Sequence, residues 1–349
     1  MKKILQVAAY AAPYDGNFIR SLLFLDNFLQ EKGYETLYAF PETAKTVEWC
    51  RQLAIKKKVY FLPLAKARIL PKTYFLIKKI FMEHPEIVIA HSHFELYDVP
   101  LSLIAPKKVK VFWHLHDAIE TYLKGYNRIV WKLQYSIFSK RAVLLSVSEK
   151  HLKVVVRLGF NSSRAFYVPN AIDISRIKDA QSGEKNYDFV IFGWDFYRKG
   201  VDLALNSIKA FSESTLAIVG SNINDCNEYN ANYILLEPEK DVNKIFSRAK
   251  CFLHISRAEG LSYALLEALY SGIPVIVSDI SENLFAKEMP TAFFVSNENL
   301  KSIEKAMENL LSSNFKIDPD LIDKTRKIIV DKYSLQSWAN NIFSYYVKK

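Results

Sequence analysis

The chain has 349 residues, 50% hydrophobic and 24% charged, a globular composition that excludes a disordered chain and supplies two cores of usual domain size. Its net charge of +10 is uneven: residues 1–169 carry 26 Lys and Arg against 13 Asp and Glu, and residues 170–349 carry 21 against 24. An anionic surface, lipid or nucleic acid, therefore suits the first half alone, and no RNA- or DNA-binding motif accompanies its charge. Cys50, Cys226 and Cys251 show no ligand spacing, which excludes a disulfide framework or a cysteine-based zinc site and fits a reducing cytoplasm.

No apolar run approaches the roughly 18 residues of a membrane-spanning helix. Met1-Lys2-Lys3 followed by Ile4–Ala9 has the outline of a signal peptide, but the run is short and contains Gln6, so it reads as a first strand. From there strand-like and helix-like stretches alternate. Lys3–Ala9 predicts a strand, Tyr10–Gly16 a loop, and Asn17–Lys32 an amphipathic helix stopped by Gly33. Strands are expected near Glu35–Phe40, Val59–Leu62, Glu86–Ala90, Val109–His114, Val143–Ser148 and Phe166–Val168, with helices in most gaps. That is the pattern of a doubly wound α/β domain.

The alternation pauses at Val168–Asp173, and the polar stretch Ser175–Tyr187 reads as a linker. It then restarts. Asp188–Phe192, Leu216–Val219, Tyr233–Leu236 and Ala292–Val295 predict strands, Gly200–Ser212 and Val242–Ala249 helices, and terminal helices close the chain.

The most informative stretch lies inside this second half. Cys251–Ile255 and Val275–Val277 have strand length and character, and the segment between them predicts a helix capped by Ser262, carrying Leu265, Leu266 and Leu269 at helical spacing, and stopped by Gly272 and Pro274. A helix that begins beyond the carboxyl end of a parallel strand turns free N–H groups and a positive dipole end toward phosphate. Glu259 and Glu267 flank its start and first turns. Carboxylates are poor phosphate ligands, so the pair is assigned to hydroxyls of a sugar and a ribose. Glu259 and Glu267, with seven residues between them and followed by Ala268 and Ser271-Gly-Ile-Pro-Val275, resemble the donor-site signature of retaining glycosyltransferase family 4, of bacterial surface-glycan type.

The resemblance implies the GT-B architecture: two tandem Rossmann-like domains with an interdomain cleft, residues 1–169 binding acceptor (joined by a terminal helix at 334–349) and residues 170–333 binding a nucleotide-diphospho-sugar. It also implies a retaining, metal-independent transfer with no cofactor. Gly260, Leu261 and Ser262 belong to its donor loop. Arg198 and Lys199, ahead of Gly200-Val-Asp202, match the basic pair that holds the donor diphosphate, although Trp194 and Asp195 stand where the family usually has Gly-Arg. His116-Asp117 matches the family's His-Asp, whose His contacts the donor sugar. Gly16 marks the turn into the first helix, where the family commonly has two glycines and this chain one. Ser148-Glu149 and Pro169-Asn170 also correspond and read as packing or hinge positions.

Two His-x-His pairs, His91/His93 and His114/His116, fall near strand ends; a metal is the alternative there, and His91, His93 and His114 are expected to be structural. An epimerase of the same fold and a sugar-binding protein without activity are the alternative functions. Between Glu48 and Glu83 the chain has no acid but nine bases interleaved with aromatics, among them Lys72, Phe75, Lys78 and Lys79. This suits an anionic cytoplasmic leaflet and a lipid-linked acceptor.

Overall fold

The fold is described from a computed structural model, in which residues 1–64, 68–116, 126–239, 241–312 and 316–348 are described. The chain forms two compact units, Met1–Asn170 with Trp338–Lys349, and Ala171–Ser337, so it crosses between them after Asn170 and after Ser337. The sequence placed those crossings after residues 169 and 333.

In the first unit β1 (Lys2–Ala8), α1 (Gly16–Glu31), β2 (Tyr34–Pro41), α2 (Glu48–Lys56), β3 (Val59–Leu62), α3 (Pro71–Glu83), β4 (Ile87–His93), α4 (Asp98–Ile104), β5 (Lys110–Leu115), α5 (Tyr126–Phe138), β6 (Ala142–Ser146), α6 (Glu149–Arg157) and β7 (Ala165–Tyr167) alternate. Their seven strands form one parallel sheet in the order β3-β2-β1-β4-β5-β6-β7. Both faces are covered, which is why these strands read as near-continuous apolar runs. Leu5, Val7, Leu37 and Ala39 join one core with Ile77, Ile80, Phe81 and Trp113, while Ala8, Tyr38 and Phe40 meet Phe18, Ile19 and Leu22 in another.

The second unit contains β8 (Tyr187–Phe192), α7 (Val201–Ile208), β9 (Leu216–Val219), α8 (Ile223–Cys226), β10 (Tyr233–Leu236), α9 (Asn243–Phe246), β11 (Ala249–His254), α10 (Tyr263–Ser271), β12 (Val275–Ser278), β13 (Ala292–Val295), α11 (Leu300–Leu311) and α12 (Pro319–Tyr333). The sheet is again wholly parallel, in the order β10-β9-β8-β11-β12-β13. Its core gathers Phe189, Ile191, Leu216, Cys251, Leu253 and Ile276 under α7 and α11. The last helix, α13 (Leu335–Val347), begins in this unit and from Trp338 belongs to the first. There Gln6 Nε2 donates to the Tyr346 hydroxyl at 3.1 Å and Lys110 Nζ to the Tyr346 carbonyl at 3.0 Å.

One expectation is corrected. The stretch read as a linker is a packed strap of the second unit: Ala180 N donates to Ser271 O at 2.8 Å, Gln181 Nε2 to Gly272 O at 2.7 Å, and Lys185 Nζ to Ala180 O at 2.6 Å. A Cβ on Gly183 would lie 2.3 Å from Ser247 O, so the glycine marks close backbone approach instead of flexibility. Composition alone does not separate the two.

Candidate active site

In a doubly wound sheet the connections leave in opposite directions at one point, and ligands sit outside the carboxyl ends of the strands there. In the second unit that point lies between β8 and β11. Arg198 and Lys199 follow β8, and Glu259 follows β11. The sequence treated them as ligands of different groups, but the structure pairs them: Lys199 Nζ donates to Glu259 Oε1 at 2.6 Å, and Arg198 Nη1 lies 3.6 Å from Glu259 Oε2. Lys199 and Glu259 are both buried.

The backbone explains why the loops meet. Gly200, at φ 74°, caps the start of α7, and a Cβ there would stand 2.4 Å from Ile255 O beyond β11, so only glycine lets the loops touch. Arg257 N donates to Arg198 O at 2.8 Å, and the Arg257 guanidinium forks onto Asp202, two bonds of 2.8 Å each. The helix beyond β11 forms as the sequence predicts. Ser262 Oγ accepts from Leu265 N at 3.3 Å at the start of α10, and Gly272 closes it at φ 82°. Leu261 and Glu267 are buried beside this start, and Gly260 lies in the bend before it.

Sequence reasoning missed His254. It ends β11, is buried, and places Nε2 3.7 Å from Glu259 Oε1. Burial, helped by the charges of Lys199 and Arg198, holds its imidazole down to about 4 against the pull of Glu259. Burial alone would raise the Glu259 carboxyl, but Lys199 and His254 outweigh it and hold that group below the ordinary range. The substituted Trp194-Asp195 pair also acquires a place: Asp195 Oδ2 accepts from Arg198 Nε at 2.8 Å, and Arg198 and Lys199 lie 4.4 and 5.0 Å from the Trp194 ring centroid. A tryptophan and an acid beside two bases is the signal that was available.

The first unit has its corresponding point between β1 and β4. All four histidines gather there. His93 pairs with His114 across β4 and β5, and the alternation brings His91 and His116 to the same face, with ring centroids 4.2 Å apart for His91 and His93 and 4.3 Å for His114 and His116. His116 meets His93 Nδ1 at 3.0 Å, and burial holds it down to about 3, opposed by a hydrogen bond with Asn170. That bond gives Asn170 a local role which the sequence did not reveal. Burial keeps His91, His93 and His114 well below the ordinary imidazole value too, so all four are neutral at pH 7. His91, His93 and His114 can offer one nitrogen each within 4.8 Å of one another. Yet His91 and His114 stack face to face at an interplanar angle of 5°, His91 Nδ1 meets the Tyr346 hydroxyl at 2.7 Å, and His93 Nε2 meets Gln6 at 3.1 Å. Both nitrogens of His93 are thus already engaged, by His116 and by Gln6. Gly16 opens α1 at φ 53°, where a Cβ would meet the Tyr10 hydroxyl at 3.1 Å, and Phe94 and Glu95 hold positive φ after β4. Asp117 lies outside the described residues.

Two family models divide the chain in the same way. Residues 20–176 match "Glycosyltransferase Family 4" and residues 187–313 match "Glycosyl transferases group 1". The chain carries both glycosyltransferase domains, and its fold is that of the GT-B glycosyltransferases. A curated relative, an uncharacterized glycosyltransferase of Methanocaldococcus jannaschii, is 27% identical over 245 residues; the match spans 61% of this chain and 60% of the relative's length. Among solved structures, sucrose-phosphate synthase of Thermosynechococcus elongatus shares the GT-B fold with a TM-score of 0.79 at 14% identity, covering 99% of this chain and 98% of that one. Anabaena HepE, in complex with UDP and glucose, aligns with a TM-score of 0.78 at 13% identity over 99% of each chain.

The basic stretch of this GT-B chain divides on inspection. Ile77, Ile80 and Phe81 are core residues of α3, whereas Phe75 is exposed. Lys57, Lys72 and Lys79 pair with Asp26, Glu42 and Glu83. No helix among the described residues is long and apolar enough to cross a membrane.

Proposed function

We propose that the chain is a retaining glycosyltransferase that moves a sugar from a UDP- or GDP-sugar to a lipid-linked glycan acceptor at the cytoplasmic face of a membrane, in cell-surface glycan synthesis. The observation that carries this reading is the gathering of Arg198, Lys199 and Glu259 at the carboxyl ends of β8 and β11. Two fixed cations beside a helix N-terminus suit a diphosphate, and a neighbouring carboxylate suits a sugar hydroxyl. The nucleotide bound in HepE supports a donor of this class.

In this mechanism Arg198 and Lys199 turn from Asp195 and Glu259 toward the donor diphosphate, and Glu259, with Gly260, Leu261 and Ser262, receives the sugar. Glu267 binds ribose, Gly16 admits phosphate close to the backbone, and His116, neutral, contacts the transferred sugar. The bond from the anomeric carbon to the phosphate oxygen breaks while the bond to the acceptor oxygen forms on the same face, and the acceptor proton passes to the departing phosphate. The cations stabilise that leaving group, so the step uses no metal.

The test is turnover of UDP- and GDP-sugars, chosen by a thermal-shift screen, with a lipid-linked glycan. Transfer with the donor's anomeric configuration, unaffected by chelator, is expected; inversion would contradict the front-face step. Loss on chelation with recovery on a divalent ion would return the histidines to a metal role. Glu267→Ala should raise the donor KM and leave kcat unchanged. The basic stretch is tested by Lys72→Glu, Lys78→Glu and Lys79→Glu together, which should weaken binding to anionic vesicles.

A further inference from the structure

The densest group of exposed large apolar side chains lies on α5, outside the basic stretch that the sequence singled out. Ile129, Leu133 and Ile137 follow one another at intervals of one helical turn and are 58%, 57% and 67% exposed, with Val130 beside them at 41%. The opposite face is spent on the core: Tyr135 is fully buried, and Trp131 and Phe138 pack against the same cluster. A helix that has filled its inward face and still presents an apolar stripe outward is amphipathic on the wrong side for a water-exposed element.

Charge points to what covers it. From residue 121 to residue 148 the chain has no Asp or Glu and five bases, Lys124, Arg128, Lys132, Lys140 and Arg141. Arg128, Lys132 and Lys140 are exposed around the stripe. The neighbours extend the apolar pattern, since α5 packs on α4 and α4 on α3, and these contribute exposed Leu103, Phe75 and Met82 with exposed Lys78, while the one exposed acid there, Glu83, is paired with Lys79. An apolar stripe rimmed by bases and free of acids matches an acyl boundary beneath anionic headgroups, with α5, about 20 Å long, lying in the plane.

We infer that α5 is the element by which the protein enters an anionic lipid surface. The inference rests on the peripheral reading above and changes its centre: the bases of α3 attract, and the α5 stripe inserts. Insertion and attraction differ in their response to salt, because screening weakens the second far more than the first.

The experiment is cosedimentation of the full chain with phosphatidylcholine vesicles containing or lacking phosphatidylglycerol, at low and high salt. Three proteins are compared: the natural chain, Leu133→Ser with Ile137→Ser, and the triple α3 charge variant. The substituted positions are exposed, and melting curves check that each variant is folded. The natural chain should bind the anionic vesicles and keep a salt-resistant fraction. The α5 variant should lose that fraction, with partitioning at least about tenfold weaker, a change of roughly 1.4 kcal/mol. The α3 variant should lose mainly the low-salt part. A Leu133→Trp protein should shift its emission to the blue on adding anionic vesicles. If the α5 variant partitions like the natural chain while the α3 variant falls, the α5 inference is overturned and the peripheral reading stands. No binding by the natural chain would sink the peripheral reading and this inference with it. If the stripe instead mediates concentration-dependent self-association, abolished in the α5 variant with vesicle binding unchanged, the face belongs to a second copy and the inference is likewise overturned.

Discussion

Each unit has its switch point between its first and fourth strands, yet the two points hold opposite chemistry. In the first unit four neutral histidines fill the place, and in the second a carboxylate sits between two bases and a single buried histidine, His254. The fold fixes where a ligand site lies and leaves its chemistry to a few side chains. Neither filling is what stability alone would select. His91, His93, His114 and His116 are polar rings taken wholly or almost wholly out of water, and a buried ion pair is often no better than an apolar one. Their cost is more readily explained by what binds there.

Acid should separate the two regions most strongly. The ordinary imidazole value is 6.5, and in the folded first unit all four histidines lie below it, His116 near about 3. Between those limits the unfolded chain binds more protons, so stability is present above pH 6.5 and falls as pH drops beneath it. The slope is at most about 1.4 kcal/mol per pH unit for each histidine that is charged in the unfolded chain and neutral in the folded one. In the second unit His254 acts in the same window, whereas Glu259, held below its ordinary 4.5, loses its contribution only as pH falls through its lower folded value. The first unit should therefore unfold first on acidification. Trp49, Trp113, Trp131 and Trp338 lie in it and Trp194 alone in the second, so tryptophan fluorescence compared with hydrogen exchange in β8 and β11 reads the order. Simultaneous loss near pH 4 would refute the contrast. His114→Leu should flatten the slope by about one proton.

The charged region is broken by removing one partner. Glu259→Gln leaves the Lys199 ammonium buried without its carboxylate, and should cost roughly 3 kcal/mol in chemical denaturation as well as lowering kcat. Lys199→Ala should lower turnover about 10- to 150-fold, the equivalent of a charge-assisted bond of roughly 1.5–3 kcal/mol. Because Lys199 also neutralises Glu259, that variant should lose stability, and the double variant should recover part of it. A double-mutant cycle with no coupling would contradict the 2.6 Å pair.

Much of the fold was legible. Strands Val59–Leu62, Leu216–Val219, Tyr233–Leu236 and Ala292–Val295 form where alternation and turn residues predict them, because each is a short apolar run rich in β-branched, aromatic or leucine residues and bounded by polar and turn-forming residues. The site was legible where a local motif carried it, as at Ser262, Gly272 and Gly200. His254 was not. It lies in an apolar strand, and its relation to Glu259 depends on the turn beyond β11. The pairing of Lys199 with Glu259 spans 60 residues, and only the strand order brings the two ends together. The strap at 175–187 was misread because polar residues that bond backbone carbonyls look the same in sequence as residues that bond water.

A smaller effect sharpens the same distinction. Ser262→Ala removes the cap of α10 and should cost about 1 kcal/mol in stability. If Ser262 also touches the donor, KM will rise beyond what the loss of helix order explains; an unchanged KM would confine it to the cap.

The central claim is that the cations beyond β8 bind the diphosphate of a nucleotide-sugar. Calorimetric titration of the natural chain, Lys199→Arg and Lys199→Ala with a UDP-sugar and a GDP-sugar tests it most directly. One donor should bind the natural chain, Lys199→Arg should keep most of that affinity, and Lys199→Ala should weaken it by at least about tenfold. Equal affinity for the natural chain and a folded Lys199→Ala would contradict the claim.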